Sequence, residues 1–285
     1  MAINKVQPPR NLNPRGVGDI SSPNALTPSP AAESLGNARI GYDNLLISTT
    51  TSAANAMLMP NTWERYRPSS GSKTIRFQLA TQSSIDFIGI AATNAGTHDG
   101  GTPINIGYAS SVGGSVISLG SIEPDENNSA VMRLFSAVNA SEVIITFNSA
   151  PVGSGLELGV IYAGKSLEMP HGIYGGHAPI VLNGKTKYQS TRSDSGNFLG
   201  RTITSQGIET SYKWRHLDPD WYREYFQPFA KSARKLPFFI NWRPDVYQES
   251  AFGHTTGDMS PMNMTGGSRL IEVSFNMLGH QDVIS

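Results

Sequence analysis

Two stretches carry residues whose types and spacing suit chemistry. Gly159–Ser166 reads GVIYAGKS and satisfies the phosphate-loop spacing G-x-x-x-x-G-K-S. That chemistry needs a Gly-rich turn whose amides wrap a phosphate, followed by a helix N-terminus. Here Val160, Ile161, Tyr162 and Ala163 favour a strand, and Leu167, Glu168, Met169 and Pro170 do not continue as a helix. A strand ending in a turn is the expectation, with no nucleotide. The second stretch holds Trp63, Arg65, Tyr66 and Arg67. An aromatic face covers the apolar side of a sugar ring, while Arg, Asn or Asp hydrogen-bond its hydroxyls. Asn94, His98 and Asp99 are candidates for the same or a neighbouring loop end. A structural reading competes with this one: Trp63 plugs the bottom of a β-sandwich and the arginine stems pack over it.

Other reactive patterns fail on context. Ser70 and Lys73 match S-x-x-K only inside a Ser-rich turn, and no G-x-S-x-G is present for a nucleophile elbow. Gly184-Lys185-Thr186 has Pro at position 179 where a phosphate loop needs Gly. The six histidines, at 98, 171, 177, 216, 254 and 280, have no helical zinc spacing, although His171 and His177 share a Gly-rich loop. His216 is expected to pack beside Trp214 or to hydrogen-bond near the helix start. The chain has no cysteine, which excludes disulfides, thiolate metal sites and cysteine nucleophiles. No metal, no cofactor and no enzymatic activity are expected.

The elements that must position these residues are mostly strands. The 285 residues include 29 Gly and 18 Pro, and only 15% are charged, which favours short strands and frequent turns. Lys plus Arg equals Asp plus Glu at 22 each, so no basic excess points to nucleic acid. No apolar run reaches the roughly 18 residues of a membrane helix, so no membrane insertion is expected. Met1–Arg10 has no apolar core of a secretory leader, which predicts a protein made in the cytoplasm.

Residues 1–38 read as an extended Pro-rich arm, disordered or laced onto a neighbour. Residues 39–165 read as a run of short strands. Within them Lys73–Leu79 alternates, with Ile75, Phe77 and Leu79 on one face, and Ile85–Ala92 is apolar enough to be covered on both faces. Residues 166–200 read as a connector. Residues 201–285 read as an α+β unit: an alternating strand Ile208–Leu217, an N-cap at Asp218 with Pro219 at the first helical position, an aromatic helix that Pro228 should kink or end near Phe226, and two further strands. Tyr222 and Phe226 are candidates to meet a neighbouring subunit, because the helix has aromatics on two adjacent faces.

Two resemblances add to this. Trp63–Ala95, WERYRPSSGSKTIRFQLATQSSIDFIGIAATNA, with the later EVIITF and LELGVIYAG, resembles the discoidin or galactose-binding-like jelly roll over residues 40–165. GNFLGRTITSQGIETSYKWRHLDPDWYREYFQPFAKSARKLPFFINWRPD resembles the C-terminal module of phage tail proteins of the distal-tail and hub type. The fold these imply is mainly β: a galactose-binding-like jelly-roll sandwich followed by a small α+β module with one helix on an antiparallel sheet. The function they imply is a structural subunit of a bacteriophage tail. Its partners would be other copies of itself in a ring-like homo-oligomer and other tail proteins, and its location the virion. The alternative is a carbohydrate-binding host-attachment module that takes a host surface glycan at Trp63, Arg65, Arg67, Asn94 and His98.

Overall fold

The computed structural model describes residues 37–68, 71–98, 102–123, 128–150, 155–173, 184–247, 249–264 and 269–280. The Pro-rich stretch 1–36, Ser70, Asp99 and His177 lie outside the described residues.

The chain is mainly β, in two antiparallel sheets. The first strand, β1 (Arg39–Gly41), belongs to the second sheet; the first sheet is built from β2 (Leu46–Thr49), β3 (Gly71–Ala91), β4 (Ile104–Ala109), β5 (Ile117–Ile122), β6 (Val131–Ala150) and β7 (Val160–Gly164). Its spine is the pair β3–β6, antiparallel from Gly71↔Ala150 to Ile90↔Val131, with a register break between Gln78 and Ser83. Before the break the ribbon carries β2 on one side and β4–β5 on the other; after it, the ribbon carries β7. One core joins Ile75, Phe77, Val143 and Ile145 from the first half to Ile88, Ile90, Ile161 and Ala163 from the second. The ribbon thus folds over on itself at the break and makes a β-sandwich.

The alternation read in Lys73–Leu79 is what builds this core. Ile75, Phe77 and Leu79 are buried, while Thr74 is exposed and Arg76 and Gln78 are half-buried on the outer face. Ile85–Ala92 is covered on both faces, and the reason is a further irregularity, between Ile85 and Phe87. Beyond it Ile88 and Ile90 enter the sandwich, while Phe87 and Ala91 face outward into a separate cluster with Met132, Tyr162, Phe239 and Phe252. Gly89 permits that contact, because a Cβ there would lie 2.8 Å from the Phe239 ring. Burial in this cluster raises the Tyr162 phenol to about 12.

The second sheet runs β8 (Leu167–Glu168), β1, β11 (Phe238–Asn241), β12 (Ser250–Thr255), β14 (Ile271–Gly279), β10 (Phe198–Leu217) and β9 (Gly184–Arg192), with β13 (Met262–Asn263) paired to β14. The stretch read as a connector supplies β8 and β9 to it. The Ser250 hydroxyl accepts the Met132 amide at 3.2 Å, a direct bond between the second sheet and the sandwich.

One helix packs on this sheet. Asp218 caps it, accepting from the Asp220 and Trp221 amides at 2.8 and 3.0 Å, and Pro219 opens it as read. It does not end near Phe226; the break in regularity expected there is a change of turn type. The segments α1 (Pro219–Trp221) and α2 (Gln227–Ala233) are joined by a π turn, Tyr222–Phe226, in which the Gln227 amide reaches back to the Tyr222 carbonyl. Pro228 has no amide hydrogen and clashes with an ordinary preceding turn. Widening the turn just ahead of it lets the helix continue.

His216 also departs from expectation. Ile208, Thr210, Tyr212 and Trp214 are buried on one face of β10 as the alternation requires. The register to β14 then shifts between Trp214 and Leu217, and His216 takes a φ of 61° and turns to solvent. Leu217 takes the inward place and is fully buried.

On the opposite face of β10, Lys213 and Arg215 bracket Glu272 of β14 at 2.5 and 2.6 Å. The Lys213 hydrogen bond, with help from Arg215, holds the Glu272 carboxyl below the usual glutamate range despite some desolvation. A depressed carboxyl stabilises the fold above its unfolded-state pKa, and that contribution disappears as pH falls through the folded value. Glu272→Gln is therefore expected to be less stable than the parent at pH 7. The gap between their urea midpoints should shrink steadily as the pH is lowered from 5 to 3.

Candidate functional site

The loop Pro60–Arg67 is shaped by Asn61. Its side-chain oxygen accepts the Trp63 and Glu64 amides at 3.1 and 2.9 Å, an Asx turn that fixes the backbone under the indole. Trp63 is 90% exposed. It does not plug the sandwich; Ala54 and Met57 of the 3₁₀ turn Ser52–Leu58 are the loop-side residues buried in that core. An indole left in solvent on a pinned turn offers a flat apolar face to a ligand.

Tyr66 anchors the other end of the loop. Its amide and carbonyl exchange bonds with Leu158 at 2.8 and 3.0 Å, and its side chain is buried. The pleat sends Arg65 and Arg67 to the side opposite Tyr66, and both meet Glu157, the neighbour of Leu158. Arg65 Nη1 donates to Glu157 Oε2 at 3.0 Å; Arg67 donates through Nε and Nη2 to Oε1 at 2.9 and 2.5 Å. Arg65 and Glu157 are mostly covered, whereas the Arg67 side chain is 74% exposed. Asn94 ties the same strand end down: its Oδ1 accepts the Glu157 amide at 2.7 Å and its Nδ2 donates to the Gly155 carbonyl at 2.6 Å. His98 lies one turn further on, where its amide bonds to the Asn94 carbonyl at 2.9 Å and its Nδ1 is 3.2 Å from Thr102 Oγ1.

Four of the five residues singled out for glycan binding thus form one loop end. Trp63 and Arg67 are its exposed side chains, and Arg65 and Asn94 hold Glu157 and its neighbours in place. His98 is positioned beside them through Asn94. Glu157 was not singled out from the sequence. It sits between the buried Leu156 and Leu158, and nothing local says that its partners lie about ninety residues earlier.

No protein-family model and no curated protein matches this sequence. Several solved structures are similar to part of it. One is a pectin-binding carbohydrate-binding module, at 16% identity and a TM-score of 0.36, covering 42% of this chain and 91% of that one. Another is the CBM32 of AlyQ in complex with 4,5-unsaturated mannuronic acid, at 16% identity and a TM-score of 0.36, covering 43% and 96%. A third, truncated AlyQ with CBM32 and alginate lyase domains, has 14% identity and a TM-score of 0.38, covering 63% and 49%.

The remaining candidates are placed as follows. Val160–Gly164 of the phosphate-loop match is a wholly buried strand paired to β3. The turn after it is held by Asp86, whose carboxylate accepts the Ser166 amide at 2.6 Å, so no amide cradle is open there. Tyr222 and Phe226 point into their own chain: Phe226 is fully buried against Tyr222 and Phe229, and Tyr222 is 8% exposed. The helix aromatics that reach solvent are Tyr225, 48% exposed, and the half-buried Trp221.

Proposed function

We propose that this protein is a non-catalytic carbohydrate-binding protein, and that Trp63 is its platform. The carrying observation is a tryptophan 90% exposed on a loop whose backbone is fixed by Asn61 and whose far end is clamped through Tyr66 and Glu157. A sugar ring laid on the indole buries its C–H face, and the exposed Arg67 guanidinium donates to ring hydroxyls. Preorganisation spares the ligand the cost of ordering the loop. Glu157 is occupied by two guanidinium groups and serves to orient them. A glycan array tests this: the parent should score on a defined set of sugars, and Trp63→Ala should lose the signal with its unfolding midpoint unchanged. A blank array at millimolar sugar would count against the proposal.

A second reading, assembly with further copies of itself, is motivated by a different feature. Among the described residues, β9 and β10 from Lys185 to Gly207 pair only with each other, because β14 joins β10 from Ile208 onward. Tyr188, Phe198, Leu199 and Ile203 on this ribbon are each about half exposed or more, and Arg201 lies over the Tyr188 ring. A lone two-stranded ribbon is marginal in water, and clustered exposed apolar residues mark contact surfaces. The ribbon carries four basic residues against one acid, so the rest of this neutral chain is correspondingly acidic. That charge split suits a ribbon seated on a second copy. Replacing Thr186–Gln206 by an Asn-Gly turn between the paired residues Lys185 and Gly207 should convert an oligomeric parent to a monomer by light scattering. A parent already monomeric at high concentration would remove this reading.

A further inference from the structure

The Trp63 loop is also one wall of a groove. Pro60–Trp63 faces the turn between α2 and β11, and the ends of β12 and β14 form the floor, enclosing an open cleft of about 640 Å³. This groove exists only because the second sheet packs beside the sandwich; four separate stretches of chain meet there.

Its chemistry is one-sided. Trp63 and the 43%-exposed Leu236 supply apolar surface to it. Arg234, Lys235, His254 and His280 line the same space, and among the described residues no carboxylate does. Asp258 reaches Arg234 from outside the lining at 3.0 Å, but both side chains are more than half exposed. Such a solvated pair is weak and readily exchanged for a ligand carboxylate. In a chain with equal numbers of acids and bases, a groove whose charged lining residues, Arg234 and Lys235, are both basic is a local bias of charge.

The geometry points to a saccharide-binding groove for carboxylate-bearing sugars, in which Trp63 and Leu236 contact the ring faces and Arg234 and Lys235 pair with the carboxylates. This rests on the carbohydrate reading of Trp63 and adds the class of sugar and the second wall of the site. Guanidinium and ammonium groups at the rim recognise the anion, whereas the indole alone accepts neutral and acidic rings alike.

Affinity electrophoresis through polygalacturonate and through the same polymer methyl-esterified separates the two ideas, since esterification neutralises the carboxylates and keeps the sugar. The parent should bind the acid form at least about tenfold more tightly than the ester. The double variant Arg234→Ala/Lys235→Ala should lose that preference, and Lys231→Ala, on α2 just ahead of that turn and outside the groove, should keep it. Both rim residues are exposed, so the variant's unfolding midpoint should match the parent's. Equal binding of the two polymers, both abolished by Trp63→Ala, would overturn the anion preference and leave the carbohydrate reading intact. A preference that survives Arg234→Ala/Lys235→Ala would overturn the groove as its source. Binding to neither polymer would overturn the inference, and the array of neutral glycans would then judge the broader reading alone.

Discussion

Phe229→Ala is expected to cost about 3–5 kcal/mol of unfolding free energy, read as a fall in the denaturant midpoint without a change of slope. Phe229 is the hub of the second core. It is fully buried, and its ring meets Phe226 and Phe238 edge-on at centroid distances of 5.2 and 4.9 Å, with Tyr42 at 5.4 Å and Phe275 at 6.1 Å. Those partners come from the helix, from β11, from β14 and from the stretch after β1. Truncation leaves a cavity that none can fill without unstacking from another neighbour, because the helix is pinned by its Asp218 cap and its π turn. A loss below about 1 kcal/mol would mean that the helix is not packed on the sheet in this way.

Arg76→Ala should be nearly as damaging, at about 3 kcal/mol, by a different mechanism. Glu142 lies under the loop that follows β4, with its side chain 1% exposed. Its Oε2 accepts Arg76 Nη1 at 2.6 Å and the Gly113 amide at 3.0 Å, while the same guanidinium donates to the Gly114 carbonyl at 3.2 Å through both terminal nitrogens. Removing the arginine strands a buried carboxylate and frees the loop. The discriminating control is Arg76→Met/Glu142→Gln, which removes both charges at similar volume and should recover most of the loss. If the double variant is as unstable as Arg76→Ala, the damage comes from lost packing and the pair is not the cause.

The periodic parts of this architecture are legible from residue order. Ile75, Phe77 and Leu79 announce a strand with one buried face, and Ile208 to Trp214 does the same for the second sheet, because a period of two survives any tertiary context that buries one face. The doubly covered strand Ile85–Ala92 is legible as such, but what covers each face is not: a single irregularity near Asp86 decides that Ile88 and Ile90 belong to one core and Phe87 to another. The irregular features escape pattern altogether. The π turn that carries the helix past Pro228, and the shift that turns His216 outward, each insert a local change of period that composition does not signal.

For the site, residue types pointed to Trp63, Arg65, Arg67 and Asn94, and alternation about Tyr66 explains why the two arginines share a side. Glu157 and the groove residues Arg234 and Lys235 were out of reach, since their relation to Trp63 comes from packing between segments roughly 90 and 170 residues away. The inward orientation of Tyr222 and Phe226 was equally hidden. Aromatics on two adjacent helix faces look excessive for one sheet until the stretch around Tyr42 is seen to add a further wall.

Tryptophan emission is the most direct measure of the central claim, because Trp63 is the exposed indole, while Trp214 is buried and Trp221 and Trp242 are half-buried. Titration with trigalacturonate or its methyl ester should shift the parent's emission to the blue and saturate, as the sugar displaces water from the Trp63 face. In Trp63→Phe, which keeps a ring at that position, binding measured by calorimetry should persist while the shift vanishes. A saturable calorimetric signal with unchanged emission in the parent, or an equal blue shift in Trp63→Phe, would place the sugar elsewhere and contradict the account.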